Sequence, residues 1–354
     1  MGKDKIRITD IAKLVGVSAG TVDRVLHNRR GVSASSREKV EKALQTLNYI
    51  PNKSASALAR TSDLRLAALI PEHKHGAYYQ DVEEGMNYAV LKNADFRVKL
   101  KIFYFDQYNL DSYIEQAKAL IEYKPDGAII NPNEEETRAD SVQKLQENNI
   151  PFVYIDSLYK PIEPLAFYGQ NAEKSGELAC KFIMMLNFKK EPIVIFRKTG
   201  KGRVGSNQQL FREKGFRKKM SRDYPDIKIL EVNLKAKHSE EDEKLFDVFF
   251  EKHPTCKLGV IFSSEAFVVS RYLKKKNKKD FKFIGYDVIK ANQKYLKEGF
   301  IDFLIAQRPV QQGILSVQTL CDYILFGNKP KQINYMPIDL ITAETIDFYL
   351  ERGQ

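Results

Sequence analysis

The chain has 354 residues, 57 of them Lys or Arg and 46 Asp or Glu, for a formal net charge of +11 at pH 7. Cys180, Cys256 and Cys321 are far apart and lack CxxC spacing, which excludes a disulfide framework and a zinc site and points to a reducing compartment. No run approaches a membrane span and no signal-peptide core opens the chain, so a cytoplasmic protein with no membrane partner is expected.

The charge is uneven. Residues 1–60 carry twelve Lys and Arg against five Asp and Glu, +7 of the total, as a nucleic-acid-binding arm would. Ile8, Ile11, Ala12 and Leu14–Val15 recur at helical spacing and predict a short first helix. Gly16 can take the positive φ of a sharp turn, and Val17 can plug the angle between two helices. Ser18 is a good N-cap for a second helix, Ala19 to His27, with Val22, Val25 and Leu26 inward. Its outward face carries Thr21, Arg24 and His27 beside Arg29 and Arg30, which fits the major groove of B-DNA. Ser33 caps a third helix, roughly 34–47, with Val40, Ala43, Leu44 and Leu47 inward. After Pro51, Asn52 can cap a short Ala- and Ser-rich helix whose one large apolar side chain is Leu58. Such a segment is too short to hold itself together in water and needs a partner to order it.

The run GVSAGTVDRVLHNRRGVSASSREKVEKALQTLNYIPNKSASALA, in register from Ile8 to Ala59, resembles the DNA-binding head and hinge of the LacI/GalR family of bacterial transcription regulators. The resemblance implies a role for each matching residue. Ala19 and Gly20 fall on base-reading positions, and Arg24 falls on the arginine that reaches a guanine. Ser18, Thr21 and Ser33 match phosphate-contacting positions, and Leu58 matches the leucine wedged into the minor groove at the operator centre. Thr9, His27, Asn52 and Ala55 complete the residues expected at the duplex. Two departures stand out. Asp23 replaces the small hydroxyl residue of the family's TVSRV run, and Ala19 and Gly20 have no side chain that can hydrogen-bond a base.

From Leu64 onward, short apolar runs alternate with helical ones. Strands are expected at 65–71, 98–105, 127–131, 151–156, 192–197, 227–233, 258–263, 281–286 and 302–306, with a final strand near 336–342. Amphipathic helices are expected near 79–93, 111–123, 136–149, 171–187, 206–222, 240–252, 266–277, 289–298 and 310–326. That alternation implies parallel sheets covered on both faces, too many strands for one modest sheet. It is similar to the type I periplasmic-binding-protein fold, the effector domain of the same family. The expected whole is an all-α helix-turn-helix head with a hinge helix, followed by an α/β two-lobed domain of parallel sheets flanked by helices. The head would span 1–50, the hinge helix 51–61 and the effector-binding and dimerisation domain 62–354. Within the last, lobe 1 would take about 62–160 and 309–326, and lobe 2 about 168–306 and 336–354, with crossovers near 157–170, 306–310 and 327–336.

Ligands of open parallel sheets bind beyond the carboxyl ends of the strands. Those ends supply Tyr78, Tyr79, Asn131, Asp156, Arg197, Ser264–Glu265, Asp287 and Gln307–Arg308. Rings for C–H faces, with carboxylates, amides and a guanidinium for hydroxyls, are what a sugar or sugar derivative needs. The family resemblance places Asn131, Asp156, Asp287 and Gln307 at effector-contacting positions and matches Arg212, in the RxxGF pattern, to a frequent effector arginine. Ser264 and Glu265 stand where the family often has Asn-Asp.

Gly200–Gly205 spells GxGxxG after a strand and before a helix, the weak fingerprint of an NAD-dependent oxidoreductase, with Glu231 as its ribose ligand. Lys198, Lys201 and Arg203 beside it could instead cradle an anion, which would admit a sugar acid or sugar phosphate. The five histidines show no HExxH spacing and no nucleophile elbow is present, so neither catalysis, nor a cofactor, nor a metal is expected. The expectation is a dimeric transcription regulator, a repressor rather than an activator, binding a near-palindromic double-stranded DNA operator under control of a small-molecule effector. A solute-binding protein of transport or chemotaxis is the other reading of the two-lobed body.

Overall fold

A computed structural model describes residues 8–26, 31–47, 62–132, 141–159, 162–200, 203–204, 206–235 and 240–352. The chain divides into two compact units, Met1–Ser56 and Ala57–Gln354.

The described part of the first unit is three helices, α1 (Ile8–Val15), α2 (Ala19–Leu26) and α3 (Ala34–Thr46). Ile11, Ala12, Val22, Val25, Val40 and Ala43 form one buried cluster, and Val17 packs against it from the turn. Gly16 takes φ +70° at that turn, a conformation costly for a residue with a Cβ. Ser18 accepts from the Thr21 amide at 3.1 Å, and Ser33 from the Ser36 amide at 3.2 Å, so each hydroxyl caps the helix that follows. Leu14, expected on the apolar face of α1, is instead exposed, because Ile8, Ile11, Ala12 and Val15 already fill the inward stripe.

The second unit contains two sheets. The first has order β12-β5-β4-β3-β1-β2, with β1 (Leu64–Pro71), β2 (Val98–Phe105), β3 (Gly127–Ile130), β4 (Phe152–Ile155), β5 (Ala166–Gly169) and β12 (Ile333–Tyr335), all parallel. The second runs β13-β11-β10-β9-β6-β8, with β6 (Ile193–Gly200), β8 (Ile229–Lys235), β9 (Leu258–Ile261), β10 (Lys282–Tyr286), β11 (Phe303–Ala306) and β13 (Asp339–Ile341). There β13 pairs antiparallel with β11, and the two-residue β7 (Arg203–Val204) folds back antiparallel on β6. β3, β4 and β9 are buried at every position, as strands covered on both faces must be.

The covering helices are α4 (Tyr78–Lys92), α5 (Leu110–Glu122), α6 (Ser141–Glu147), α7 (Ala172–Met185), α8 (Asn207–Asp223), α9 (Glu240–Lys252), α10 (Ala266–Lys275), α11 (Lys290–Lys297), α12 (Pro309–Phe326) and α13 (Ile346–Arg352). None of the described helices is long and apolar enough to cross a membrane.

Two short strands stand where crossovers are expected. Residues 166–169 and 333–335 lie within the stretches expected as crossovers, yet both belong to the first sheet, where β12 pairs with β5. The chain therefore passes between lobes at 170–171, 307–308 and 336–338. One side chain ties these passages together. Gln170, buried in the first, donates from Nε2 to the carbonyls of Ala306 in the second at 2.6 Å and Pro337 in the third at 2.7 Å.

Candidate functional site

In the first unit, α2 buries Val22 and Val25 and so turns the opposite side outward. Ala19, Gly20 and Arg24 are exposed there, with Thr21 half-buried beside them, and Thr9, Ser18 and Ser33 are exposed nearby. The Ser18 hydroxyl also lies 2.9 Å from that of Thr21. A short helix presenting a guanidinium and small polar groups is suited to a major groove, since arginine's fork matches the paired acceptors of guanine. His27, Asn52, Ala55 and Leu58 lie outside the described residues.

In the second unit, a cleft of about 1210 Å³ lies beyond the carboxyl ends of both sheets. Tyr78, Tyr79 and Asp156 line it from the first lobe, and Gln208, Arg212, Ser264, Asp287 and Gln307 from the second lobe and the hinge. Asp156 and Asp287 follow β4 and β10 directly, and both take positive φ (62° and 65°). That backbone is uncommon for residues other than Gly, Asn and Asp, and clusters where function fixes the chain.

The floor is a connected network. Tyr79 Oη donates to Asp156 Oδ2 at 3.1 Å, and Asn131 Nδ2 donates to the same Tyr79 oxygen at 3.2 Å. Asn131 is thus buried behind the lining and holds it in place. The Tyr78 and Tyr79 rings meet edge to face at 5.1 Å. Gln307 Nε2 donates to Asp287 Oδ1 at 2.6 Å.

Arg212 acts electrostatically on both carboxylates, and its guanidinium carbon lies 4.2 Å from the Tyr286 ring centroid. Its Nη1 donates to the Phe262 carbonyl at 2.7 Å, whereas Nε and Nη2 are buried with no acceptor among the described residues. Gln208 Oε1 and Gln307 Oε1 are buried acceptors with no donor among the described residues. Burial pushes Asp287 up to about 6 although Arg212 opposes it, and raises Asp156 in the same way. Burial, reinforced by the charge of Asp156, also holds Tyr78 and Tyr79 well above the usual phenol range.

The position of Arg212 follows from glycine. A Cβ at Gly176 of α7 would lie 1.8 Å from the Arg212 carbonyl oxygen, and one at Gly215 would lie 2.0 Å from that of Glu173. Only bare glycine lets α7 and α8 approach this closely, which gives the glycine of the RxxGF pattern a packing role.

Arg197 does not join the site. Successive strand residues point to opposite faces, and Arg197 turns onto α8, donating to Glu213 at 2.7 Å and Glu231 at 2.5 Å. Arg217 completes a four-charge cluster by donating to the same two carboxylates. Burial would raise Glu213, but these arginines hold it below its usual range.

The glycine run also differs from its dinucleotide reading. Thr199 pairs with Val204 and Gly200 with Arg203 in an antiparallel hairpin, and α8 opens only afterwards, at Asn207. A dinucleotide fingerprint needs its glycines in the turn from strand into helix. Of the anion cradle, Lys198 is buried and paired with Glu265; the Lys201 and Arg203 side chains lie outside the description.

Sequence reasoning missed Gln208 and Gln312. Gln208 Nε2 donates to the Asp156 carbonyl, joining the two lobes. Gln312, fully buried on α12, accepts from the Asp156 amide at 3.1 Å and donates to Tyr78 Oη at 3.0 Å. A glutamine on a helix's apolar side was the one available signal for each.

Residues 67–329 match the Periplasmic binding protein domain family, and residues 7–52 match the family described as Bacterial regulatory proteins, lacI family. The transcriptional regulator IdnR of Escherichia coli is 28% identical over 52% of this chain and 53% of its own length. The sucrose operon repressor of Streptococcus mutans is 24% identical over 96% of this chain and 99% of its own. Among solved structures, a candidate LacI transcriptional regulator from Bacteroides fragilis superposes with a TM-score of 0.79 at 42% identity, covering 81% of this chain and all of that one. With a helix-turn-helix head and a two-lobed domain of this fold, the chain belongs to the lacI family of bacterial regulatory proteins and is a DNA-binding transcription regulator.

Proposed function

We propose that the chain is a cytoplasmic repressor that binds a near-palindromic double-stranded operator as a homodimer and releases or tightens its grip when a sugar or sugar derivative enters the interlobe cleft. The head would position itself through phosphate contacts from Thr9, Ser18, Thr21 and Ser33 and read bases through Arg24, Ala19 and Gly20, with Leu58 as the central wedge. The ligand would bind Tyr78, Tyr79, Asp156, Arg212, Ser264, Asp287 and Gln307, and shift DNA affinity by its different affinity for two lobe arrangements.

One observation carries this reading. Among the described residues, one cleft is lined by residues with buried donors lacking acceptors (Arg212 Nε and Nη2) and by residues with buried acceptors lacking donors (Gln208 Oε1 and Gln307 Oε1). Orphaned buried groups are costly, and a polyol, whose every hydroxyl both donates and accepts, satisfies the two kinds together. The S. mutans relative is by name a sucrose operon repressor, in keeping with a sugar here. Asp156 and Asp287 favour a neutral ligand over the sugar acid or sugar phosphate that the glycine loop suggested.

Calorimetric titration of the full chain with neutral sugars, polyols, sugar acids and sugar phosphates tests the proposal, with DNA affinity measured for each compound that binds. Neutral compounds are expected to bind and to change DNA affinity. Binding confined to phosphates, or binding that leaves DNA affinity unchanged, would contradict it.

A further inference from the structure

We propose that the cleft contains a second sugar subsite toward its mouth, so that the ligand is a disaccharide or a glycan end of two units; this rests on reading the cleft as a carbohydrate site. The strand orders show the room for it. Asp156 and Asp287, at the ends of β4 and β10, mark the inner cluster. From β4 the first sheet continues through β3 and β1 to the edge strand β2, and from β10 the second continues through β9 and β6 to the edge strand β8. Each path is three strand steps, roughly 14 Å at about 4.8 Å per step. That is more than one pyranose ring spans and suits two joined rings.

The cleft is lined along this whole distance. Asp106, Gln107 and Tyr108 after β2, Lys198–Gly200 of β6 and Lys235 of β8 face it on the side away from the hinge. Its volume of about 1210 Å³ exceeds the roughly 1,000 Å³ that bounds most small-molecule pockets. The lobes do not gape to produce this volume. Asn207 Nδ2 of the second lobe donates to the Pro132 carbonyl of the first at 3.1 Å, and Gln208 reaches Asp156. Ile289 of the second lobe is buried in the first lobe's apolar cluster, with Ala291 packed against it.

The mouth has the chemistry of a sugar subsite in its own right. Tyr108 is half-buried and lines the cleft, as Glu265 does; its phenol is raised by burial and then by that carboxylate's charge. The Tyr108 amide donates to Asp106 Oδ1 at 2.9 Å, which fixes the loop that carries the ring. Glu265 is paired with the buried Lys198, so the pair offers acceptor and donor without net charge. A tyrosine ring and a neutral ion pair lining the same part of the cleft supply a stacking surface and hydrogen-bonding groups to a second ring.

The test is calorimetry on the full chain and its Tyr108→Ala variant with glucose, galactose, xylose and arabinose, and with cellobiose, maltose, lactose and xylobiose. At least one disaccharide is expected to bind tenfold or more tightly than its constituent monosaccharides. Tyr108→Ala should erase that tenfold gain while changing monosaccharide affinity less than twofold; Lys198→Met should reproduce the pattern if Tyr108→Ala folds poorly. Monosaccharides binding as tightly as every disaccharide overturns the second subsite and leaves the carbohydrate reading standing. A variant that weakens both classes equally also overturns it. Failure of every sugar to bind overturns both.

Discussion

Replacing Asp287 by Asn separates two roles that one buried charge plays. The folded protein raises this carboxyl from 3.8 to about 6, chiefly by burial, with Arg212 offsetting part of the cost. Between these values the folded chain holds a proton that the unfolded chain has lost, so the Asp287 contribution to stability increases as pH falls from about 7 toward 4. At pH 7.5 the ionised side chain costs about 3 kcal/mol, two pH units at roughly 1.4 kcal/mol each. Asn keeps the shape, tolerates the φ of +65° and can still accept from Gln307 Nε2. Asp287→Asn is therefore expected to be more stable than wild type by up to about 3 kcal/mol at pH 7.5, with the gap closing through pH 6 and gone near pH 4. The same change removes a charged acceptor from the proposed sugar, worth about 1.5–3 kcal/mol, and should weaken ligand binding by about 10- to 150-fold while DNA binding persists. Urea denaturation from pH 4 to 8, with calorimetry at pH 7.5, reads both effects. A variant less stable than wild type at pH 7.5, or a gap that does not change with pH, refutes the electrostatic argument; unchanged sugar affinity removes Asp287 from the site.

Arg24→Ala should weaken specific DNA binding by about 1–3 kcal/mol and relax preference at one base pair, measured by titrating single-base-pair variants of a selected duplex. Gln170→Ala deletes hydrogen bonds to Ala306 and Pro337 at the hinge; at about 1 kcal/mol each it should cost roughly 2 kcal/mol in denaturation and reduce the ratio of DNA affinities with and without ligand. Arg197→Met breaks the ion cluster with Glu213 and Glu231 and should leave sugar affinity within twofold in calorimetry, whereas a tenfold loss would return Arg197 to the cleft.

Most of the architecture is legible because apolar periodicity reports burial directly. The parallel strands and their helices follow from apolar runs separated by amphipathic ones, and the head from three short helices around a turn glycine. The two strands found where crossovers were expected have four and three residues; a run that short carries no period, and each is a strand through its pairing, β5 with β4 and β12 with β5. For the cleft, strand ends locate Asp156, Asp287 and Gln307 because parallel topology sends their carboxyl ends to one side. Arg197 ends the strand expected at 192–197, but β6 runs on to Gly200, so Arg197 lies within the strand and alternation turns it onto α8. Gln208 and Gln312 escape because their roles depend on partners 52 and 156 residues away, Asp156 in both cases.

The central claim couples a DNA-reading head to a sugar-filled cleft, and one titration tests it most directly. A duplex selected from random sequence by the full chain is titrated by fluorescence anisotropy with and without the tightest-binding sugar of the calorimetric panel, at fixed salt because phosphate contacts make affinity steeply salt-dependent. The account predicts a near-palindromic selected site and a DNA affinity that the sugar changes tenfold or more, with no change in Asp287→Asn at the same sugar concentration. A chain that prefers no duplex over random DNA, or whose affinity is the same with the sugar as without it, contradicts the account.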